Sequence, residues 1–256
     1  MSLGLWLERE FNRHSEGHKV ILMATVTTKR EGLAALRRLL KDPEATDDVF
    51  VVIRGFSGNS FENEYQRFLR SDTGRDILAE PTELLDVLKS DLSQYDSGAF
   101  AALYARFLRL EGLSADGLVD ASDPTQEVFD EPSRAKFGRR QRDQHDLWHT
   151  LTQYGRDELG ELCLLAFTYA QTGNRGIALI VFFGTLKYRK LMGNKVFNAV
   201  YEAYRHGKSC EWLPAVKWED MLSLPVEEVR ARLKVQEPQV YWDCRGGVRF
   251  PSLTPA

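Results

Sequence analysis

The chain has 256 residues, 43% of them hydrophobic and 28% charged, enough to bury a core and too apolar for a disordered polymer. With 34 basic against 37 acidic residues the formal net charge is -3, so no positive surplus exists to neutralise nucleic-acid phosphates. Three cysteines, Cys163, Cys210 and Cys244, are odd in number and lack metal-ligand spacing, which excludes a disulfide framework and points to reduced thiols.

Along the chain, the N-terminal MSLGLWLEREFNRH has no basic region followed by an apolar stretch, so no signal peptide is expected, and its early acidic residues do not suit a presequence. Segments 19–28 and 49–56 are rich in β-branched residues and read locally as strands. No turn-linked hairpin partner lies near either, and both are assigned to helices. GLAALRRLLK (32–41) repeats leucine at helical spacing. Residues 61–70 set Phe61, Tyr65, Phe68 and Leu69 on one helical face, and 98–110 repeat the pattern with Phe100, Leu103, Tyr104, Phe107 and Leu108. The polar stretch from Asp120 to Arg140, with Pro124 and Pro132, reads as a connector.

No proline falls between Ser133 and Leu213, which permits several long helices there. Glycines 155, 160, 173, 176, 193 and 207 divide this stretch into helical lengths. GIALIVFFGTL (176–186) is apolar nearly all round, and is expected to be buried in protein or to line an isoprenoid groove. The aromatic stripe Phe197, Tyr201 and Tyr204 has the spacing of a core face. The run Ile177 to Gly184 reaches about half of the roughly 20 residues a membrane span needs. The expectation is one all-α, multi-helix domain over 1–256, with a loose tail from 236 on, located in the cytoplasm or peripherally at the inner membrane.

The most informative stretch is QHDLWHTLTQYGRDELGE (144–161). His145 and His149 lie one helical turn apart on one face, with Asp146 beside them and Arg142 one turn earlier. Leu147, Leu151 and Tyr154 fall on the opposite, core-facing side. Two imidazoles flanking a carboxylate suit a divalent metal. In an unbroken helix Glu161 would lie roughly 18 Å from His149 along the axis, out of reach. It can join the site only if the chain folds back, and a turn near 153–158 is predicted, with Glu161 in about the first turn of the next helix.

Histidines at i and i+4 also occur as plain surface or core pairs. Asp146 stands where the zincin motif HExxH has its general-base Glu. The His-Asp pairing of phosphohydrolases needs a further upstream His, and His14 and His18 lie far away. Those two and His206 are expected to be solvated.

The pattern His145-Asp146-x-x-His149, eleven residues, then Glu161 resembles the zinc-ligand signature of the coenzyme Q (ubiquinone) biosynthesis protein four family. The similarity continues through GELCLLAFTYAQTGNRGIALIVFFG (160–184) and KWEDMLSLPVEEVRARL (217–233), and more loosely upstream, covering about 33–235. Gln153 and Gly155 depart from the family's usual Gly and Pro. The resemblance implies an all-α fold in a bacterial member of the family, with His145, Asp146, His149 and Glu161 as catalytic residues that hold zinc, iron or magnesium being the alternatives. Arg142, on the same side of the helix, completes the expected catalytic set by holding the anionic group of the substrate. It implies removal of the ring carboxylate of a polyprenyl hydroxybenzoate, with hydroxylation of that carbon. As partners it implies a prenylated quinone precursor or isoprenoid lipid, a quinone-biosynthesis protein complex and a membrane surface. The alternative is a non-catalytic, lipid-binding scaffold whose metal is structural.

Overall fold

The computed structural model describes residues 28–41, 46–115 and 131–249. Residues 19–27, His14 and His18 lie outside them. Within this range the chain is all-α: no β-strand occurs among the described residues, only an isolated bridge between Ala99 and Pro225. The helices are α1 (Lys29–Lys41), α2 (Thr46–Phe56), α3 (Ser60–Arg70), α4 (Asp72–Ala79), α5 (Leu84–Leu88) and α6 (Phe100–Glu111). They continue as α7 (Pro132–Asp143), α8 (His145–Thr152), α9 (Glu158–Thr172), α10 (Arg175–Met192), α11 (Lys195–Ser209), α12 (Val226–Leu233) and α13 (Gln239–Cys244). Segment 49–56 is helical, as its missing hairpin partner suggests.

Helix α9 is the central element, flanked by α10 and α11. Its Leu162, Cys163, Leu164, Ala166 and Phe167 join the main core with Leu147 and Leu151 of α8 and Phe100 and Tyr104 of α6. Two smaller clusters sit beside it. One packs α1 and α2 on Ile180 of α10. A Cβ at Gly176 would stand 2.5 Å from the Cα of Ile53, so only glycine permits that approach. The other gathers Tyr65, Phe68 and Ile77 around Phe137.

Four expectations need correction. The supposed connector over 120–140 is helical from Pro132 onward, with Pro132 in the first turn where its missing N–H costs nothing. The apolar period is hidden there because α7 buries charged groups as well as Phe137. Arg140 is one of them, and it pairs with Glu219 Oε1 at 2.8 Å and donates to the Val216 carbonyl at 2.8 Å. The tail is not loose throughout, since α13 buries Tyr241 and Trp242 in the main core. Two of the three rings of the α11 stripe do not face the core: Phe197 is 38% and Tyr201 63% exposed, while Tyr204 packs against the core. Helix α11 instead turns Val196, Ala199, Val200, Ala203 and Gly207 inward. A Cβ at Gly207 would lie 2.6 Å from the Phe167 carbonyl, so the small-residue face lets the backbones approach and prevails over the bulky one. Finally, 176–186 is buried on one face only, and Phe182 stays 56% exposed.

Candidate metal centre

Helix α8 begins directly after Gln144, whose side-chain oxygen accepts a 2.8 Å bond from the buried Trp218 indole. The helix is buried nearly all round, so its polar residues need internal partners. Thr150 and Thr152 bond back to the carbonyls of Asp146 and Trp148 at 2.9 and 2.7 Å. The helix ends at Gln153, held in the left-handed region at φ 63°. Arg230 of α12 then reaches in, donating Nε to the Leu151 carbonyl at 3.0 Å and Nη2 to that of Thr150 at 3.2 Å. These are carbonyls that a helix end leaves without intrahelical partners. Arg230→Met is expected to strand both acceptors, at about 1–3 kcal/mol for each one left buried and unpaired. The denaturation midpoint in urea should fall accordingly.

His149 is fully buried, and its Nδ1 donates to the Tyr154 carbonyl at 2.8 Å. That bond places a proton on Nδ1 and leaves Nε2 facing His145, whose Nε2 lies 3.2 Å away. The two rings stand at 86° to one another, and Phe107 of α6 stacks on His149 at 5.7 Å. Ligand atoms of His145, Asp146 and His149 all fall within 4.8 Å of one another.

The chain folds back over 153–157, as the reach argument requires, and α9 starts at Glu158 under the Asp157 N-cap. A Cβ at Gly160 would sit 2.0 Å from the Gly155 carbonyl, so glycine there is needed for the fold-back. Glu161, in the first turn of α9, brings Oε2 to 3.5 Å from His149 Nε2. It adjoins the three-residue group through His149.

Burial would push the Glu161 carboxyl up, but the charge and hydrogen bond of His149, aided by His145 and Arg156, hold it down at about 2. Burial disfavours a charged His149 ring, and Glu161 more than offsets this, leaving its pKa raised. His145 is pushed down by burial first and then by His149.

Two imidazole nitrogens and the Asp146 carboxylate, with the Glu161 carboxylate adjoining through His149, are donor types suited to a divalent cation. Two nitrogens bonded to one tetrahedral ion at 2.0–2.1 Å would be about 3.3 Å apart, close to the separation of the two Nε2 atoms. The residues therefore fit such an ion.

Arg142 lies on α7, beyond the helix break, and donates Nε and Nη2 to Asp143 Oδ1 at 3.0 and 2.8 Å. The sequence reading missed four neighbours of the site. Phe107 and Arg230 arrive from distant helices, and Arg156 sits in the fold-back loop itself. Tyr104, buried on α6, has its pKa raised by burial and then by the charges of Asp146 and Asp143. Of the four, only Arg156 had a local signal: a charge in a turn that must pass beside the site.

The family model described as coenzyme Q (ubiquinone) biosynthesis protein Coq4 matches residues 24–239. Among named relatives, the mitochondrial ubiquinone biosynthesis protein COQ4 of Saccharomyces cerevisiae (strain RM11-1a) is 29% identical over 180 residues, covering 69% of this chain and 52% of the relative. Its counterpart in Zygosaccharomyces rouxii is 30% identical over 180 residues, with 69% and 53% covered. The Yarrowia lipolytica counterpart is 29% identical over 182 residues, with 68% and 65% covered. The chain thus spans about half to two thirds of the length of these relatives. A crystal structure described as a candidate ubiquinone biosynthesis protein from Nostoc punctiforme PCC 73102 superposes with a TM-score of 0.59. It covers 80% of this chain and 96% of its own, and at 20% identity it shows a shared fold.

Proposed function

The chain belongs to the coenzyme Q (ubiquinone) biosynthesis protein Coq4 family, and on that premise we propose that it removes the ring carboxylate of a polyprenyl hydroxybenzoate at a divalent metal held by His145, Asp146, His149 and Glu161. The observation that supports this reading best is the 3.2 Å approach of two imidazole nitrogens, with the ligand atoms of His145, Asp146 and His149 all within 4.8 Å of one another. Zinc is the expected metal, with iron or magnesium as alternatives. When bound, such a cation supplies a Lewis acid for a carboxylate or phenolate oxygen.

The protein's own groups have separable roles in this proposal. Tyr154 fixes the tautomer of His149 through its carbonyl, and Phe107 holds the ring plane. Arg142 was the expected anion holder, and its guanidinium engages Asp143. We keep Arg142 as an anion-binding group and add Arg156, which lies in the fold-back loop between α8 and α9. Loss of carbon dioxide leaves an electron pair on the ring carbon. A proton takes it in simple decarboxylation; where that carbon is instead hydroxylated, the two-electron oxidation balances with dioxygen and water as co-substrates and hydrogen peroxide as the by-product.

Among the described residues no helix is long and apolar enough to cross a membrane. Helix α10 nevertheless exposes Phe182 and Leu186, one turn apart, and the adjoining α11 exposes Phe197 and Tyr201. This apolar surface supports contact with a prenyl tail or the face of a membrane. It equally favours the second reading, a lipid-binding scaffold for other quinone enzymes with a structural metal. The named relatives are mitochondrial proteins. For this chain a peripheral membrane location is our proposal.

One assay separates the readings. The purified chain, in detergent micelles with dioxygen, is given a prenylated hydroxybenzoate labelled at the carboxyl carbon, before and after chelation. Release of labelled carbon dioxide that stops on chelation and returns with metal is expected. Undiminished release after chelation removes the metal from the chemistry, and no release under any condition favours the scaffold.

A further inference from the structure

The short helix α13 begins where the family match ends, and its Tyr241 lies two residues beyond that match. Tyr241 is fully buried, yet its hydroxyl does not merely satisfy itself within the core. It accepts a 3.0 Å bond from the Gly155 amide and donates to Asp157 Oδ2. One phenol thus grips the fold-back loop on both sides of Arg156.

Each bond leads on to a candidate ligand. Asp157 caps α9, its Oδ1 accepting from the Gly160 amide at 3.2 Å and its carbonyl accepting from the Glu161 amide at 2.9 Å. The Tyr241 ring also meets the Tyr154 ring edge-on at 5.4 Å, and the Tyr154 carbonyl is the acceptor that orients His149. The two ligand-bearing elements, α8 and α9, are therefore tied to each other through Tyr241, and Arg245 of the same tail also pairs with Asp157 Oδ2, at 3.7 Å. Val240 beside it is held by Glu202 of α11, its amide donating at 3.0 Å, so the tail is itself anchored.

We propose that Tyr241 is a positioning residue for the metal site, supplied by the C-terminal tail, which sets the distance between Glu161 and the histidine pair. This rests on the metal-site reading above. Outer partners of metal ligands are worth roughly 10–100-fold in affinity, because a ligand that must be ordered on binding costs free energy that a pre-ordered one does not.

The test compares the full chain with Tyr241→Phe, which keeps the ring and removes the hydroxyl, and with Trp242→Leu, which weakens the tail's packing without touching the loop. Zinc affinity is read by competition with a chromogenic chelator, ligand geometry by the visible bands of the cobalt(II)-loaded protein, and loop order by hydrogen exchange at the Gly155 amide. Tyr241→Phe should bind zinc about tenfold more weakly, shift the cobalt bands and exchange Gly155 faster. Trp242→Leu should lose thermal stability and keep the wild-type affinity and spectrum. Wild-type affinity and bands in Tyr241→Phe overturn the proposal, as does an equal loss of affinity in Trp242→Leu. If the unaltered chain binds no zinc or cobalt, the metal-site reading fails separately. The clamp is then judged by Gly155 exchange, and an unchanged rate in Tyr241→Phe refutes it.

Discussion

A His149→Ala chain is expected to purify without stoichiometric divalent metal and to lose metal-dependent carbon dioxide release. His149 is the hub of the site: its Nε2 faces both His145 and Glu161, and its Nδ1 is already committed to Tyr154. Removing it deletes a direct donor, so the loss should exceed the roughly 10–100-fold caused by removing an outer partner. It also frees Glu161 from the group that holds its carboxyl low, and leaves the Tyr154 carbonyl without its donor. That second effect costs about 1–3 kcal/mol of stability. His149→Gln is the companion variant, since it fills more of the space behind Phe107. Elemental analysis of dialysed protein reads the metal, and circular dichroism checks that the helices persist. Retention of one equivalent of metal by the folded Ala variant would remove His149 from the site.

A large loss of stability is also expected elsewhere, at the ion pair between α7 and the segment before α12. The Arg140 side chain is only 2% exposed, and it meets Glu219 through two bonds of 2.8 and 2.9 Å while also serving the Val216 carbonyl. Glu219→Ala leaves that guanidinium buried without its carboxylate, and a buried pair broken on one side costs about 3–5 kcal/mol. Replacing both partners, as Arg140→Met with Glu219→Leu, should recover much of the loss, since no charge is then stranded. The pair also fixes the sign of a pH effect. Burial raises the Glu219 carboxyl, but Arg140 outweighs it and the folded-state pKa lies below the ordinary 4.5. Its contribution is therefore complete above the unfolded value and fades as pH falls through the folded one. Urea midpoints measured from pH 7 down to 3 should fall less steeply in Glu219→Ala than in the unaltered chain. Parallel curves would contradict this assignment.

What could be read in the sequence was local. Periodicity marks α3 and α6, and the reach of a side chain along a helix is enough to demand the break before Glu161. The break was legible because one distance, about 18 Å, could not be bridged otherwise. Helix α7 was not legible, because Arg140 and Lys136 are buried through specific partners, and no hydrophobic scale marks such residues as core. The aromatic spacing of Phe197 and Tyr201 misled for the complementary reason: close packing against α9 rewards Gly207 and Ala203, and pushes bulky rings outward. Arg230 and Tyr241 stand 79 and 86 residues from the backbone groups they hold, and no spacing rule connects them.

The decisive measurement is X-ray absorption at the metal edge, taken with anomalous diffraction from crystals of the protein as purified. One ion per chain is expected, with the Nε2 atoms of His145 and His149 at about 2.0–2.1 Å and at least one oxygen from Asp146 or Glu161 at about 2.0–2.2 Å. Crystals grown with zinc present that show no anomalous peak between α8 and α9, or an ion coordinated elsewhere on the chain, would contradict the account.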